Sequence, residues 1–169
     1  MKSILSGLLV LCTSVGYTQW TAVPTGTTED LTTISFANST IGLSAGKLAA
    51  SGHSIIIRTT DGGTTWTTNQ AALSGVVRDI AMHSGGNAVI VGDSGRIYTS
   101  SDYGETWANQ AAFTSTPLTA TQFISNNVVL CGDEQGNLYA SNDGGINWTA
   151  TDTTFDVRIN QLHFQNNLL

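Results

Sequence analysis

Short apolar runs separated by clusters of Gly, Asn, Asp and Ser divide this chain into strands and tight turns. Residues 76–82 predict one strand, followed by a turn at 84–87. A strongly apolar strand comes next at 88–91, then a turn at 92–95, then an alternating strand at 96–99 that runs into a turn carrying Asp102. The same order returns one unit later: a strand around 122–124, a turn at 125–127, a strand at 128–131, a turn at 132–136, and a strand at 137–140 that leads to Asp143. Even the spacers agree, since Asn69-Gln70-Ala71-Ala72-Leu73 matches Asn109-Gln110-Ala111-Ala112-Phe113. A more divergent unit starts at Trp20, and a fourth opens after Trp148, with residues 166–169 falling on 126–129.

The clearest repeated element is an Asp-containing turn that ends in tryptophan. It runs from Thr59 through Asp61 and Gly63 to Trp66, from Ser100 through Asp102 and Gly104 to Trp107, and from Ser141 through Asp143 and Gly145 to Trp148, with the tryptophans 41 residues apart. A fixed period near 40 residues marks an array in which each unit is one supersecondary block whose apolar face is covered by its neighbours. The units read as about 20–66, 67–107, 108–148 and an incomplete 149–169, roughly 3.5 repeats. The first unit, 46 residues from Trp20 to Trp66, leaves room for a loop insertion. An array must hide its last edge by a cap or by ring closure. Residues 168–169 do neither, so the expectation is a partial array from a longer protein.

Composition narrows the function classes. The 169 residues carry 11% charged side chains and a formal net charge of −6, with Thr, Ser, Asn and Gly filling the polar positions. With six Lys and Arg and no basic cluster, nucleic-acid binding is not expected. Met1-Lys2, the apolar run 4–11 and the small residues Ser14 and Gly16 predict a secretory signal peptide, cleaved after Gly16 or after Thr18. This gives a leader at 1–18, a mature repeat domain at 19–169 and no membrane span in the mature chain, because the apolar run is too short for one. Cys12 raises the question of lipidation, but Leu11 stands where a lipoprotein signal needs a small residue. Cys131 is then the one thiol of the mature chain, set among Val128, Val129 and Leu130 as a small buried hydrophobe.

The Asp turns have scaffold chemistry. The carboxylate can accept backbone N–H groups one and two residues on, Gly supplies a positive φ, and the leading Ser or Thr adds a hydroxyl bond. Tryptophan then folds back as an apolar plug between sheets. Thr59, Asp61, Gly63, Trp66, Ser100, Asp102, Gly104, Trp107, Ser141, Asp143, Gly145 and Trp148 are accordingly read as structural, since one position repeated around an array does not converge on a catalytic point.

These residues resemble the Asp-box, or bacterial neuraminidase repeat, Ser/Thr-x-Asp-x-Gly-x-Thr-Trp, with Asn147 standing where Thr is usual. The fuller unit, with Ile34-Ser35-Phe36, Ile41-Gly42-Leu43 and Ile55-Ile56-Ile57-Arg58, is similar to repeats of the photosystem II stability and assembly factor family, which includes exported bacterial proteins. The resemblance implies an all-β propeller of four-stranded antiparallel blades, with more blades in the full ring than are present here. It also implies, for the assembly factors, an arginine-rich partner-binding face. This acidic, Arg-poor chain does not reproduce that face, which argues against a photosynthetic role.

Asp-boxes also occur in sialidases and xyloglucan-degrading glucanases, so fold does not choose a function. Arg58, Arg78, Arg96 and Arg158 do not form a sialidase-like arginine triad by any local pattern, and Arg78 and Arg158 fall on nearly equivalent repeat positions. A glucanase needs two facing carboxylates. Glu29, Asp30, Asp79, Asp93, Asp133, Glu134, Asp152 and Asp156 are candidates, mostly in turns and without a local pairing. His53, His83 and His163 lack metal-ligand spacing, and no phosphate-binding loop is present, so no cofactor is expected. The reading is an extracytoplasmic binding scaffold for a protein or glycan ligand, carried on loops such as 26–30 or 114–117; the alternative is a glycoside hydrolase with most of its catalytic residues elsewhere.

Overall fold

The computed structural model describes residues 22–69 and 73–164. The expected leader at 1–18, Trp20 and the segment 165–169 lie outside these described residues. Strands β1 (Asp30–Phe36), β2 (Gly42–Lys47), β3 (Ser54–Thr59) and β4 (Thr67–Asn69) form the first sheet. The second contains β5 (Val77–Met82), β6 (Ala88–Gly92), β7 (Ile97–Ser100) and β8 (Ala108–Asn109), and the third β9 (Leu118–Phe123), β10 (Val129–Asp133), β11 (Asn137–Ser141) and β12 (Thr149–Thr154). Every strand pairs antiparallel with a sequence neighbour, and the other regular element among the described residues is a 3-10 turn at Asp93–Gly95. The chain is a partial β-propeller of four-stranded blades.

The blades are offset from the sequence units by one strand. Segments after Trp66, Trp107 and Trp148, read above as spacers or unit starts, supply the outermost strand of the preceding sheet: Arg58 pairs Thr67, Thr99 pairs Ala108 and Ala140 pairs Thr149. The spacer alignment also shifts by one residue. Asn69 faces Ile56, and Gln110 donates its N–H to the Ile97 carbonyl at 2.9 Å, so Gln110 rather than Asn109 is the counterpart of Asn69. The extra length of the first unit lies in the β2–β3 hairpin, in a longer connection at residues 48–53 and in longer strands than β6 and β7, which Asp93–Gly95 and Arg96 join more tightly in the second blade.

Residues 155–164, where the fourth unit is expected to open, form no strand. They lean on the third blade instead, with Phe155 N–H donating to the Gly136 carbonyl at 3.0 Å and Ile159 N–H to the Asp133 carbonyl at 3.1 Å. The physical reason is pairing. In the preceding blade β9 is held by β10, and no equivalent partner for 157–164 lies among the described residues.

Packing follows the two-residue period of the strands. On the second blade Ile80, Met82, Ala88 and Ile90 face the first blade, joining Leu43, Ala45 and Ile56, while Ala81, Val89, Val91 and Ile97 face the third, joining Leu118, Phe123, Val129 and Cys131. A strand buried on both faces reads as a continuous apolar run, which is why 88–91 shows no alternation. Each fully buried Leu, Ile or Val contributes about 1.5–3 kcal/mol of transfer free energy.

Candidate functional site

The three Asp turns close the β3–β4, β7–β8 and β11–β12 connections with one bonding pattern. The Thr59 hydroxyl donates to Asp61 Oδ1 at 2.8 Å and accepts the Gly63 N–H at 2.9 Å; Ser100 and Ser141 repeat this with Asp102 and Gly104, and with Asp143 and Gly145. Each carboxylate reaches four residues ahead rather than the expected one or two. Asp61 accepts the backbone N–H of Thr65 at 2.8 Å and its hydroxyl at 2.6 Å, and Asp102 accepts the same pair from Thr106. Asn147, the departure from the usual Thr, uses its Nδ2 in place of the hydroxyl, 2.7 Å from Asp143 Oδ2.

The electrostatics agree with this bonding. The Thr65 side chain, the Thr65 N–H and the Thr59 hydroxyl hold the Asp61 carboxyl at about 2, and the Asn147 backbone and side-chain amides do the same for Asp143. At Asp102 burial pushes the pKa up, but the bonds from Thr106 and Ser100 outweigh it and the net shift is downward. Folded-state values below the unfolded one contribute stability at neutral pH that is lost as pH falls through them. A carboxylate so occupied is a turn brace and a poor general acid or base.

The tryptophans are partly buried, less than the plug expected. Trp66 meets Phe36 edge-on at 6.1 Å, Trp107 packs on the first core cluster, and Trp148 stacks on Phe113 at 5.7 Å. Trp66 and Trp148 donate their indole N–H to the Gly63 and Gly145 carbonyls at 3.1 and 2.9 Å. Trp107 cannot copy them: Asn69 Nδ2 sits 2.5 Å from the Gly104 carbonyl, and the buried Trp107 N–H finds no partner among the described residues. Trp148→Phe is therefore expected to cost about 1 kcal/mol more than Trp107→Phe in urea unfolding, since only the former loses a hydrogen bond.

At the opposite end of the blades gather the β2–β3, β6–β7 and β10–β11 turns and the segments entering β1, β5 and β9. Residues 114–117 lie here, as the Glu134 N–H bond to the Pro117 carbonyl shows, and Glu29 reaches this end through its carboxylate on the Ala49 N–H, while Gly26 of the same segment lies beside the Trp66 carbonyl near the first Asp turn. Arg78 contacts Asp93 and reaches Glu134 of the next blade at 3.7 Å, and Arg158 meets the same Glu134 at 3.6 Å. Asp133, fully buried, accepts from Gln135, Asn137 and Tyr139 as a turn brace; burial pushes its pKa up, but these bonds hold it below the usual range.

Asp79 departs from this pattern. Each inner strand carries a bulge at the same place, at Thr32, Arg78 and Thr119, and just after it Asp79 takes the position of Thr33 and Ala120. Its Oδ1 accepts the Thr33 hydroxyl of the first blade at 2.8 Å, and its Oδ2 the Thr121 N–H of the third at 2.8 Å. One carboxylate thus joins three blades. No carboxylate stands at the two equivalent positions, which hold Thr33 and Ala120. Of the residues weighed outside the turns and read as non-catalytic, Arg96 bonds Ser74, His83 accepts the Gly85 N–H, and Cys131 is buried, with burial and then the Asp133 charge pushing its thiol pKa well up. The side chain of Asp152 is outside the described set. Among the described residues no group of three His, Cys, Asp or Glu could hold a metal, and no helix is long and apolar enough to cross a membrane.

Sequence reasoning missed Asn69, Glu105 and Tyr103. The signal available was a mismatch between repeats: Tyr103, at φ 59°, stands where Gly62 and Gly144 have φ 72° and 74°.

A profile of the photosynthesis system II assembly factor YCF48 family matches residues 12–167. The chain belongs to this family. Among solved structures, "YCF48 bound to D1 peptide" superposes with a TM-score of 0.71 at 22% identity, covering 85% of this chain and 48% of that one. YCF48 from Cyanidioschyzon merolae gives 0.65 at 24% identity, covering 79% and 44%. The Niastella koreensis GH74 enzyme gives 0.58 at 20%, covering 73% and 18%. At these identities the likeness is one of fold, and the chain spans about half the length of the YCF48 structures it matches. No curated protein sequence matches it. Relative to the arginine-rich face implied by the YCF48-like resemblance, Arg78 and Arg158 of this chain are already engaged by Asp93 and Glu134.

Proposed function

We propose that this chain is part of an exported YCF48-like propeller that binds a protein segment at the loop-bearing end of its blades. The observation that carries the reading is the division of labour along each blade. The Asp-turn end repeats the same internal bonds three times, while the loop end differs from blade to blade and carries the Arg78, Glu134 and Arg158 contacts. Repeated framework is committed to packing, and variable loops on a rigid scaffold are where recognition concentrates. A peptide-bound relative adds support, since the YCF48 fold accepts a peptide in that protein. The short apolar run and small-residue exit at 1–18 support export.

The test uses the full-length protein against a displayed peptide library, with sialosides and β-glucans in parallel. Saturable peptide binding that is lost when residues 114–117 are exchanged for Gly and Ser is expected. Turnover of either saccharide, abolished by replacing a carboxylate outside the Asp turns, would overturn the scaffold reading in favour of a hydrolase.

A further inference from the structure

Adjacent blades meet near the Asp turns in two seams that share a backbone but not their side chains. In the seam between the first and second blades, Arg58 of β3 crosses over. Its Nε donates to the Tyr103 carbonyl at 3.0 Å, its Nη2 lies 3.1 Å from Glu105 Oε1, and its side chain is only 17% exposed. Asn69 follows it, bonding the Gly104 carbonyl. The next seam lies 41 residues on, and the strand pairing confirms the correspondence: Thr99 occupies the place of Arg58, Gln110 that of Asn69, Gly144 that of Tyr103 and Ile146 that of Glu105.

Shortening arginine to threonine leaves the second seam open. A cavity of about 360 Å³ lies there, with Thr99, Trp107, Gln110, Asp143, Gly144 and Ile146 among its walls. No lysine or arginine lines it, and the Asp143 carboxylate, held near 2 by the Asn147 amides, stays charged at neutral pH. Gln110 ties its Nε2 to the Thr99 hydroxyl at 2.7 Å, which keeps its carboxamide oxygen available as an acceptor. Trp107 and Ile146 supply apolar wall for a methylene stem.

We propose that this seam pocket receives an arginine side chain from a partner polypeptide, entering where the first seam is filled by the chain's own Arg58. A guanidinium is the fitting group because it is planar, keeps its charge and spreads several donors across carbonyl and carboxylate acceptors. The net charge of −6 favours the approach of a basic segment. The pocket is at the Asp-turn end, so it is independent of the loop-end surface proposed above.

The test titrates the protein with the peptide amides Gly-Arg-Gly, Gly-Lys-Gly and Gly-citrulline-Gly, read by amide and indole NMR shifts. Saturable shifts at Thr99, Trp107, Gln110 and Gly144 with the arginine peptide, much weaker with citrulline, are expected. Thr99→Arg should fill the pocket from within and weaken binding by about tenfold or more, the loss of one charge-assisted bond. Ile146→Glu, which restores the carboxylate that Arg58 meets in Glu105, should tighten it several-fold, and this variant serves if Thr99→Arg does not fold. Shifts that never saturate, arginine and lysine peptides acting alike, or unaltered binding in folded Thr99→Arg or Ile146→Glu would each overturn the proposal.

Discussion

Asp79→Ala is expected to destabilise the protein by about 2–6 kcal/mol, because it orphans a backbone N–H and a hydroxyl that cost about 1–3 kcal/mol each when left unpaired. The two orphans belong to different blades, Thr121 of the third and Thr33 of the first, so the loss falls on the interfaces that couple the array. Urea unfolding followed by tryptophan fluorescence should therefore show an earlier and broader transition. Asp93→Ala, which removes a half-exposed partner of Arg78, should cost under about 1 kcal/mol. Acidity adds a second signature. Burial is the largest influence on Asp79 and raises its carboxyl pKa, against the opposing bonds from Thr121, Thr33 and Ile80. A folded-state value above the unfolded one favours the fold in acid, and that contribution fades as pH rises through it. The gap between wild type and Asp79→Ala should then be wider at about pH 4 than at about pH 7. A sharp, unshifted transition in Asp79→Ala would show that the Asp79 bonds do not couple the blades.

Gly145→Val should be comparably damaging for a reason of shape. Gly145 has φ +96°, and a Cβ added to it would lie 2.8 Å from Val89 Cγ2 and 3.2 Å from Thr99 Cγ2 of the preceding blade. A β-branched side chain there meets left-handed backbone strain of about 1–3 kcal/mol and overpacking of about 1–3 kcal/mol, a combined loss of about 2–6 kcal/mol. Gly52→Ala isolates the first effect, since Gly52 has φ +69° and nothing within 4 Å of the added carbon. Thermal unfolding of the two variants should differ by the packing share. Equal midpoints would mean that the third Asp turn does not press on its neighbour.

The motifs legible in the sequence are those that act within one turn. Ser or Thr, Asp, Gly and Trp at fixed offsets specify their own hydrogen bonds, because donor and acceptor are separated by four residues or fewer. The reach of Asp61 to Thr65 rather than to the nearer N–H groups was missed because both of those are already bonded, the Gly63 N–H to the Thr59 hydroxyl and the Gly62 N–H to the Thr40 carbonyl of the preceding turn. The outermost strands were misread as spacers because Thr67–Asn69 and Ala108–Asn109 are polar and very short, and they become strands only by bonding to β3 and β7.

By itself the sequence determined the array, its period and three of the four strands in each blade, since strand alternation, turn residues and the 41-residue tryptophan spacing are properties of the chain read in order. Tertiary structure decided what crosses between blades: Asp79 bonding two neighbours, Arg58 filling one seam, and Thr99 leaving the next open. Those contacts join residues more than 40 positions apart and depend on which way a bulge turns a side chain, and no local pattern encodes either.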